Sequence, residues 1–438
     1  MIEFIYLVTQ FFIFYLLTSF NFLGITNKKV LKILPFSENI TLNIIIFFNF
    51  ILIVSFTNVN LDIIIKSYLI FYSLLVLLNF YKFKTLLKLD KDNLYSFSLL
   101  FITSLIIFIE ISNNLVLGWD VQKFWIYKTL NFYNGNSIDN LSNLPNSWYP
   151  YLGGLSWSFF WKVSFLNNEY SGRLFYIFVY LCSILLLINN LKLSHFYKSV
   201  FFISIIIISY DYSFHSHWSM FSGYQEILIF SLLTISTHFL FRLIQNEKKT
   251  ENLDLFSILL ICNLLIWIKH EGFIISTSLI FTLIIFSNLA KKKKIITFFS
   301  FFIILFFRFF IFDYYDLNSS NILHVGYQEL NLNEFYNKLS PDRLFMISKF
   351  LILNLLSNYL ILIGILLLVT LKFRKKKIQR LNYFFFLILF NILVFSFIYA
   401  LTDLDLNFML KTGMDRIIYQ LSPFIFLVFL ENFKLKKN

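Results

Sequence analysis

The chain is 438 residues long, 58% hydrophobic and 21% aromatic, with 14% charged side chains and a mean hydropathy of +0.73. A soluble domain carries about 25% charged residues, so this composition excludes an ordinary aqueous surface. The net charge of +13 sits in short lysine clusters between apolar runs, a pattern of membrane topology rather than of a groove for nucleic acid.

Apolar runs of roughly 17–25 residues, long enough to cross a ~30 Å hydrocarbon core as helices, recur from end to end. The sequence predicts an all-α, polytopic transmembrane bundle of about 13 helices in a single integral domain over 1–438. The first four crossings are expected near 4–24, 41–58, 61–81 and 94–112. Six more follow a long loop, near 171–190, 199–212, 224–243, 253–268, 272–290 and 295–312. The last three come after a second loop, near 345–371, 381–401 and 416–431. The opening run lacks a basic leader and a small-residue cleavage site, so it reads as a retained helix. Cys182 and Cys262 both lie within apolar runs and suggest neither a disulfide nor a metal site.

The lysines and arginines set the orientation. Clusters at Lys82/Lys84/Lys88/Lys91, Lys248/Lys249, 291–294, 372–380 and Lys434/Lys436/Lys437 belong on the cytoplasmic side. Thirteen alternating crossings accommodate all five clusters, with the N-terminus outside and the C-terminus inside. The same alternation puts 112–170, 211–223, 313–344 and 402–415 outside, with a tight outer turn at 269–272. The segment 112–170 is the largest outer loop, and 313–344 is a second sizeable one. The first holds two of the five prolines and most of the tryptophans, a content that argues against disorder. Its stretch LGWDVQKFWIYKTL reads as short interfacial helices.

Cations on the outer side are not explained by topology. They are Lys123, Lys128, Lys162, Arg173, Lys269, Arg308, Lys338, Arg343, Lys411 and Arg416. Snorkelling to headgroups accounts for such residues one at a time; as a set they suggest an anionic ligand such as a lipid phosphate. Asp120 is an N-cap or a general base, and in a regular helix it would share a face with Lys123 and Tyr127. Tyr149 belongs to an aromatic turn, NSWYPYLGGL, suited to re-entering the membrane or lining a groove. His215 and His217 are two apart, a poor spacing for a metal pair on a helix. Glu226 opens a helix, where the macrodipole favours an anion, or else it is a second acid facing Asp120. Lys269, His270 and Glu271 stand together between two apolar runs, which suits a shared polar cavity better than a bare turn. Asp415 and Arg416 begin the last crossing, and an arginine at a helix N-terminus opposes the dipole, which favours anion binding.

The elements GWD followed by WIYK, then WYPYL, SGYQE, KHEG and DRIIYQLSP occur in this order between about 118 and 423. In order and sidedness the set resembles the GT-C superfamily of polytopic glycosyltransferases, near its aminoarabinose-transferase and protein-mannosyltransferase-like bacterial branch. Family members often carry a histidine before the Tyr-Pro element, where this chain has Ser147 and Trp148. The resemblance implies transfer of a sugar from a polyprenyl-phosphate donor to a lipid, glycan or protein acceptor. The expected setting is the outer face of a bacterial inner membrane. It implies Asp120 and Glu226 as catalytic acids, and Arg416 with Lys269 and Arg308 as contacts to the donor phosphate. Lys123, Tyr127, Tyr149, His270, Glu271 and Asp415 would line the substrate groove. No cofactor is firmly implied; a divalent metal is compatible with the chemistry, though no ligand spacing requires one. A lipid-linked glycan polymerase or ligase, or a flippase for a lipid-linked sugar, would use many of the same contacts.

Overall fold

The computed structural model describes residues 2–19, 35–83, 91–215, 220–245, 250–317, 338–373, 381–402 and 404–433. These residues form helices and connecting turns, without a β-strand. Ten of the helices are long and apolar enough to cross a membrane, the architecture of a multi-pass integral membrane protein.

The helices used below are α1 (Ile2–Ser19), α2 (Phe36–Ser55), α3 (Leu61–Phe83) and α4 (Lys91–Asn113), followed by α5 (Ile126–Tyr133) and α6 (Leu152–Lys162). Next come α7 (Ser171–Asn189), α8 (His195–His215), α9 (Glu226–Ile244), α10 (Glu251–Ile268), α11 (Glu271–Phe286) and α12 (Lys291–Tyr314). The last are α13 (Pro341–Ser357), α14 (Tyr359–Phe373), α15 (Asn382–Leu401), α16 (Leu406–Leu421) and α17 (Phe426–Phe433).

Four of the thirteen expected crossings differ from a single long helix; the last, expected at 416–431, begins at Leu406, so Asp415 and Arg416 lie inside α16 and not at a helix N-terminus, and a 3-10 turn at Ser422–Ile425 divides it from α17. The stretch expected at 345–371 is the pair α13 and α14, bent by 79°. The bend contains neither proline nor glycine; the Asn358 side chain accepts from the Ile361 N–H at 3.1 Å and so caps the second helix. The apolar part of α8, His195–Tyr210, and α11 are both shorter than the rest. The loop expected at 112–170 does not trail across a surface. Its α6 is sunk into the bundle, with Trp157, Phe159 and Phe160 fully buried.

Helices α7 and α9 form the spine, packed on each other and buried over nearly their whole length. Around α7 the core is aromatic: Phe160 stacks on Phe175 at 3.7 Å, and Phe14 and Phe47 meet Phe160 at 5.1 and 5.2 Å. In lipid, packing has to supply what hydrophobic burial supplies in water, and interlocked rings do so through dispersion and edge-to-face contacts. The outer helices turn apolar side chains outward. On α12, Phe299, Phe302, Ile303 and Phe306 are at least 60% exposed, while Arg308 faces inward at 6%.

The spine is tied at one end by charge. Arg242, in the last turn of α9, donates to both Glu38 carboxylate oxygens at 2.8 and 2.9 Å, and to Asp254. Glu38 is in the first turn of α2 and Asp254 in the first turn of α10, so three helix ends share one ionic knot. Thr250 donates to Asp254 at 2.8 Å, and the His238 ring lies 3.7 Å from Glu38. Each charge suits its helix dipole, acids at N-termini and arginine at a C-terminus. The knot is almost wholly shielded, so removing one partner strands the others.

Arg242→Met is therefore expected to cost about 3–5 kcal/mol, because two buried carboxylates lose their cation. The triple variant Arg242→Met/Glu38→Gln/Asp254→Asn should recover much of that loss. Thermal unfolding of the purified protein in detergent tests this, and an Arg242→Met variant as stable as wild type would refute it.

Candidate functional site

The other end of α9 carries a second ionic assembly, built from four separated stretches of chain. Glu226, the first residue of α9, is fully buried. Its Oε1 lies 2.9 Å from the Lys269 ammonium and 3.5 Å from Arg416 Nη1. Lys269 also meets Glu271 at 3.0 Å. The same Arg416 Nη1 donates to the Asp120 carboxylate, and its Nε donates to the Thr412 carbonyl at 2.9 Å. The result is one chain of alternating charge, Asp120–Arg416–Glu226–Lys269–Glu271, with three carboxylates and two cations.

Local structure explains each position. The α10–α11 turn is tight enough that Lys269, His270 and Glu271 all face one site. Gly272 makes that turn feasible, since a Cβ there would run into the Leu265 carbonyl. Asp120 sits at the start of a helix running to Tyr133, but its side chain caps nothing; it turns to Arg416 instead. Gly118 likewise leaves room for the Tyr224 ring, above which the Arg416 guanidinium lies at 5.6 Å. Asp415 is nearly buried, and its Oδ1 accepts from the Arg416 N–H at 2.8 Å.

Aromatic rings and a second cation group adjoin Lys269. The His270 ring stacks on Trp148 at 5.0 Å, with Tyr149 at 5.1 Å. Arg308 Nη2 donates to His270 Nδ1 at 3.0 Å and the guanidinium lies over Phe312 at 5.2 Å. Burial, reinforced by Arg308, Lys128 and Lys269, pushes the His270 imidazole down to about 3, so the ring is neutral near pH 7. Burial, with help from Glu271 and Asp120, pushes the Tyr149 phenol up to about 12 and keeps it a hydrogen-bond donor. Burial alone would lower the Lys269 ammonium; Glu226 and Glu271 outweigh it and raise its pKa above the ordinary lysine value.

Lys128 reads as a snorkelling residue in the sequence, yet it is fully buried. Its ammonium donates to the Ser147 carbonyl at 3.3 Å and to the Tyr149 carbonyl, which fixes the backbone on either side of Trp148. Burial alone lowers its pKa well below that of a free lysine.

A cavity of about 270 Å³ is lined by Glu110, Asn114, Trp119, Tyr210, Phe221 and Tyr224, among others; Trp119 precedes Asp120 and the Tyr224 ring lies under Arg416, while neither Asp120 nor Arg416 lines it. Glu110 and Tyr210 were not singled out from the sequence. An isolated glutamate at the end of an apolar run was the available signal for the first; nothing marked the second.

Of the expected site residues, Asp120, Glu226, Lys269, Glu271 and Arg416 share the charge chain. Tyr149, His270, Arg308 and Asp415 border it. Lys123 and Tyr127 instead lie on the exposed side of their helix. The wide π-type turn at Val121–Trp125 adds a residue to the spacing, so the face expected of a regular helix is broken there. Other outer cations have structural accounts: Arg173 meets Glu169 at 3.5 Å, Lys162 meets Asp62 at 3.7 Å, and Arg343 donates to the Thr402 carbonyl at 2.8 Å. The side chains of His215 and His217 lie outside the described residues. So do Lys84, Lys88, Lys248, Lys249, Lys434, Lys436 and Lys437, and most of 372–380. Among the described residues no group of three or more His, Cys, Asp or Glu side chains is arranged to hold a metal.

No family model, curated protein or solved structure matches the chain. What the site does has to be argued from its own geometry.

The Asp120–Arg416 contact is open to a double-mutant cycle. Asp120→Asn and Arg416→Gln should be non-additive in thermal stability, with a coupling of about 0.5–3 kcal/mol. Strictly additive losses would mean that the two side chains do not meet.

Proposed function

We propose that the protein is a membrane glycosyltransferase. In this reading it moves a sugar from a polyprenyl-phosphate-linked donor to a hydroxyl of a lipid, glycan or protein acceptor, at the outer face of the membrane. The orientation is that of thirteen alternating crossings with every lysine cluster inside. The observation that carries the reading is the convergence of Asp120, Arg416, Glu226, Lys269 and Glu271 at one end of the bundle. A merely structural helix bundle has no need to gather five ionisable groups from four stretches of chain at one end. The ordered resemblance to GT-C enzymes names a chemistry that such a set can perform.

The roles follow from access. The Asp120 side chain is 20% exposed and that of Glu226 only 1%. Asp120 is the acid that reaches substrate: it takes the proton of the acceptor hydroxyl as that oxygen bonds to the anomeric carbon. The bond from that carbon to the phosphate oxygen breaks in the same step, and the phosphate leaves with the electron pair. Phosphate is already a good leaving group, so orientation supplies much of the catalysis. Arg416 holds the Asp120 carboxylate in place. Glu226 acts through Arg416 and Lys269 as a positioning residue.

The flippase alternative has one observation in its favour, the 79° break between α13 and α14, since broken helices often mark transport sites. The residues at that break, Asn354, Ser357 and Asn358, carry no charge. The ionisable groups collect at the end of the bundle instead, which favours chemistry there over passage through the middle.

Asp120→Asn is expected to abolish sugar transfer from a polyprenyl-phosphate donor in a reconstituted assay, with the thermal midpoint still measurable. Full activity in that variant would remove Asp120 as the base. A cysteine introduced by Asp139→Cys should label from outside in intact cells; labelling solely from inside would overturn the orientation.

A further inference from the structure

The cavity of about 270 Å³ has a lining unlike either ionic assembly. Among the described residues, Glu110 is its one lining group with a full charge. Glu110 stands in the last turn of α4, where the macrodipole disfavours an acid, so it does nothing for its own helix. No lysine or arginine pairs with it among the described residues; its neighbour is the Tyr210 phenol. The rest of the cavity is largely aromatic. Tyr210 stacks on Phe221 at 5.1 Å with the ring planes 23° apart, and Trp119 is 63% exposed. The Gly118 N–H donates to the Ser222 carbonyl at 3.0 Å, which ties the Trp119 wall to the Phe221 wall.

The cavity also has an apolar approach. Helices α4 and α8 both pack on α7 and are joined near their N-termini, where Tyr95 donates to the His195 carbonyl at 2.7 Å. The cavity lies between their other ends, at Glu110 and Tyr210. Ile102 and Ile106 precede Glu110 by eight and four residues, and Ile203 and Ile207 precede Tyr210 by seven and three, so each pair shares a helix face with the residue that lines the cavity. All four isoleucines are exposed.

We propose that this cavity binds the ammonium headgroup of a membrane amphiphile. Glu110 is the counter-ion, the Tyr210, Phe221 and Trp119 rings surround the charge, and the tail lies along the exposed isoleucines of α4 and α8. Aromatic faces with one carboxylate attract an organic cation and disfavour an anion. A cation here also answers the negative end of the α4 dipole, which Glu110 by itself aggravates. The site is separate from the charge chain, whose cations are already paired with carboxylates of the protein, and it does not rest on the transfer reading.

The test uses the full chain in maltoside micelles, which contain no ammonium group, with binding read by titration calorimetry against protein-free micelles at pH 7. Octylammonium is compared with octanol, its uncharged counterpart, and with ethylammonium, which keeps the charge and lacks the tail. Wild type is expected to prefer octylammonium to octanol by about tenfold or more. Glu110→Gln should erase that preference, and Phe221→Leu should weaken octylammonium binding more than octanol binding. Asp139→Asn, at an exposed acid that does not line the cavity, should leave the preference intact. Equal binding of octylammonium and octanol by wild type overturns the proposal without any variant. A preference that survives Glu110→Gln overturns it too, as does one that Asp139→Asn also removes, which would mean diffuse surface charge. Ethylammonium binding as tightly as octylammonium overturns it as well, since a free amine needs no tail along α4 and α8. No step of the test involves a sugar, so its failure leaves the transfer reading where it stands.

Discussion

A buried charge is costly, and at both ends of α9 it is answered by opposite charge from other helices. Helix α9 shows how far this one constraint organises the molecule. It begins with Glu226 and ends with Arg242, and it is buried along nearly all of the length between. Both charges have the sign that the helix dipole prefers, an effect worth roughly 0.3–1 kcal/mol at an exposed end. Dipole alone does not offset the several kcal/mol lost on desolvating an ion, so each end recruits partners from other helices. At the Arg242 end these are Glu38 and Asp254, which fix α2 and α10 against α9. At the Glu226 end they are Lys269 and Arg416, which fix the α10–α11 turn and α16. The apolar packing between the ends has shape but little directional preference; the two ionic knots set the register.

The two knots differ in a way that bears on function. The Arg242 knot is closed: every charged side chain in it is at most 3% exposed, and the acids outnumber the arginine with a histidine alongside. The Glu226 assembly is graded. Glu226 is 1% exposed and Lys269 8%, but Asp120 and Glu271, the acids at its two extremities, are 20% and 23% exposed. Charge therefore runs from a sealed centre out to two accessible carboxylates, the arrangement expected where a rigid interior presents reactive groups to a substrate. A structural clamp gains nothing from open ends.

Much of this was legible in the sequence, for identifiable reasons. Hydropathy marks the helices because lipid leaves the backbone few alternatives. The lysine clusters assign helix ends to sides, and that is enough to expect Asp120, Glu226, Lys269, Glu271 and Arg416 at one end although up to 296 positions separate them. The pairings were not legible. Arg416 reads as a cation facing a ligand, whereas two acids of the protein hold it, because sequence spacing says nothing about which distant carboxylate a guanidinium meets. Lys128, on an aromatic, basic helix, looks like a residue reaching headgroups. Its burial depends on a turn twenty residues further on that offers the Ser147 and Tyr149 carbonyls. The π-type turn at Val121–Trp125 has no sequence mark, yet it separates Asp120 from Lys123 and Tyr127. The bend at Asn358 is equally silent, lacking the proline or glycine that usually announces one.

These unread features share a consequence for the site. Arg416 is held by Asp120 and Glu226, while Arg308, on the His270 side, has no carboxylate partner among the described residues. The accessible Asp120 carboxylate and the Arg308 guanidinium thus lie on opposite sides of the Glu226–Lys269 pair. Tyr149 lies between them as a neutral phenol, influenced by Asp120 and Arg416 on one hand and by Glu271 and Lys269 on the other. For a reaction that withdraws a proton at one place and releases an anionic leaving group at another, such a division lowers the cost of both events.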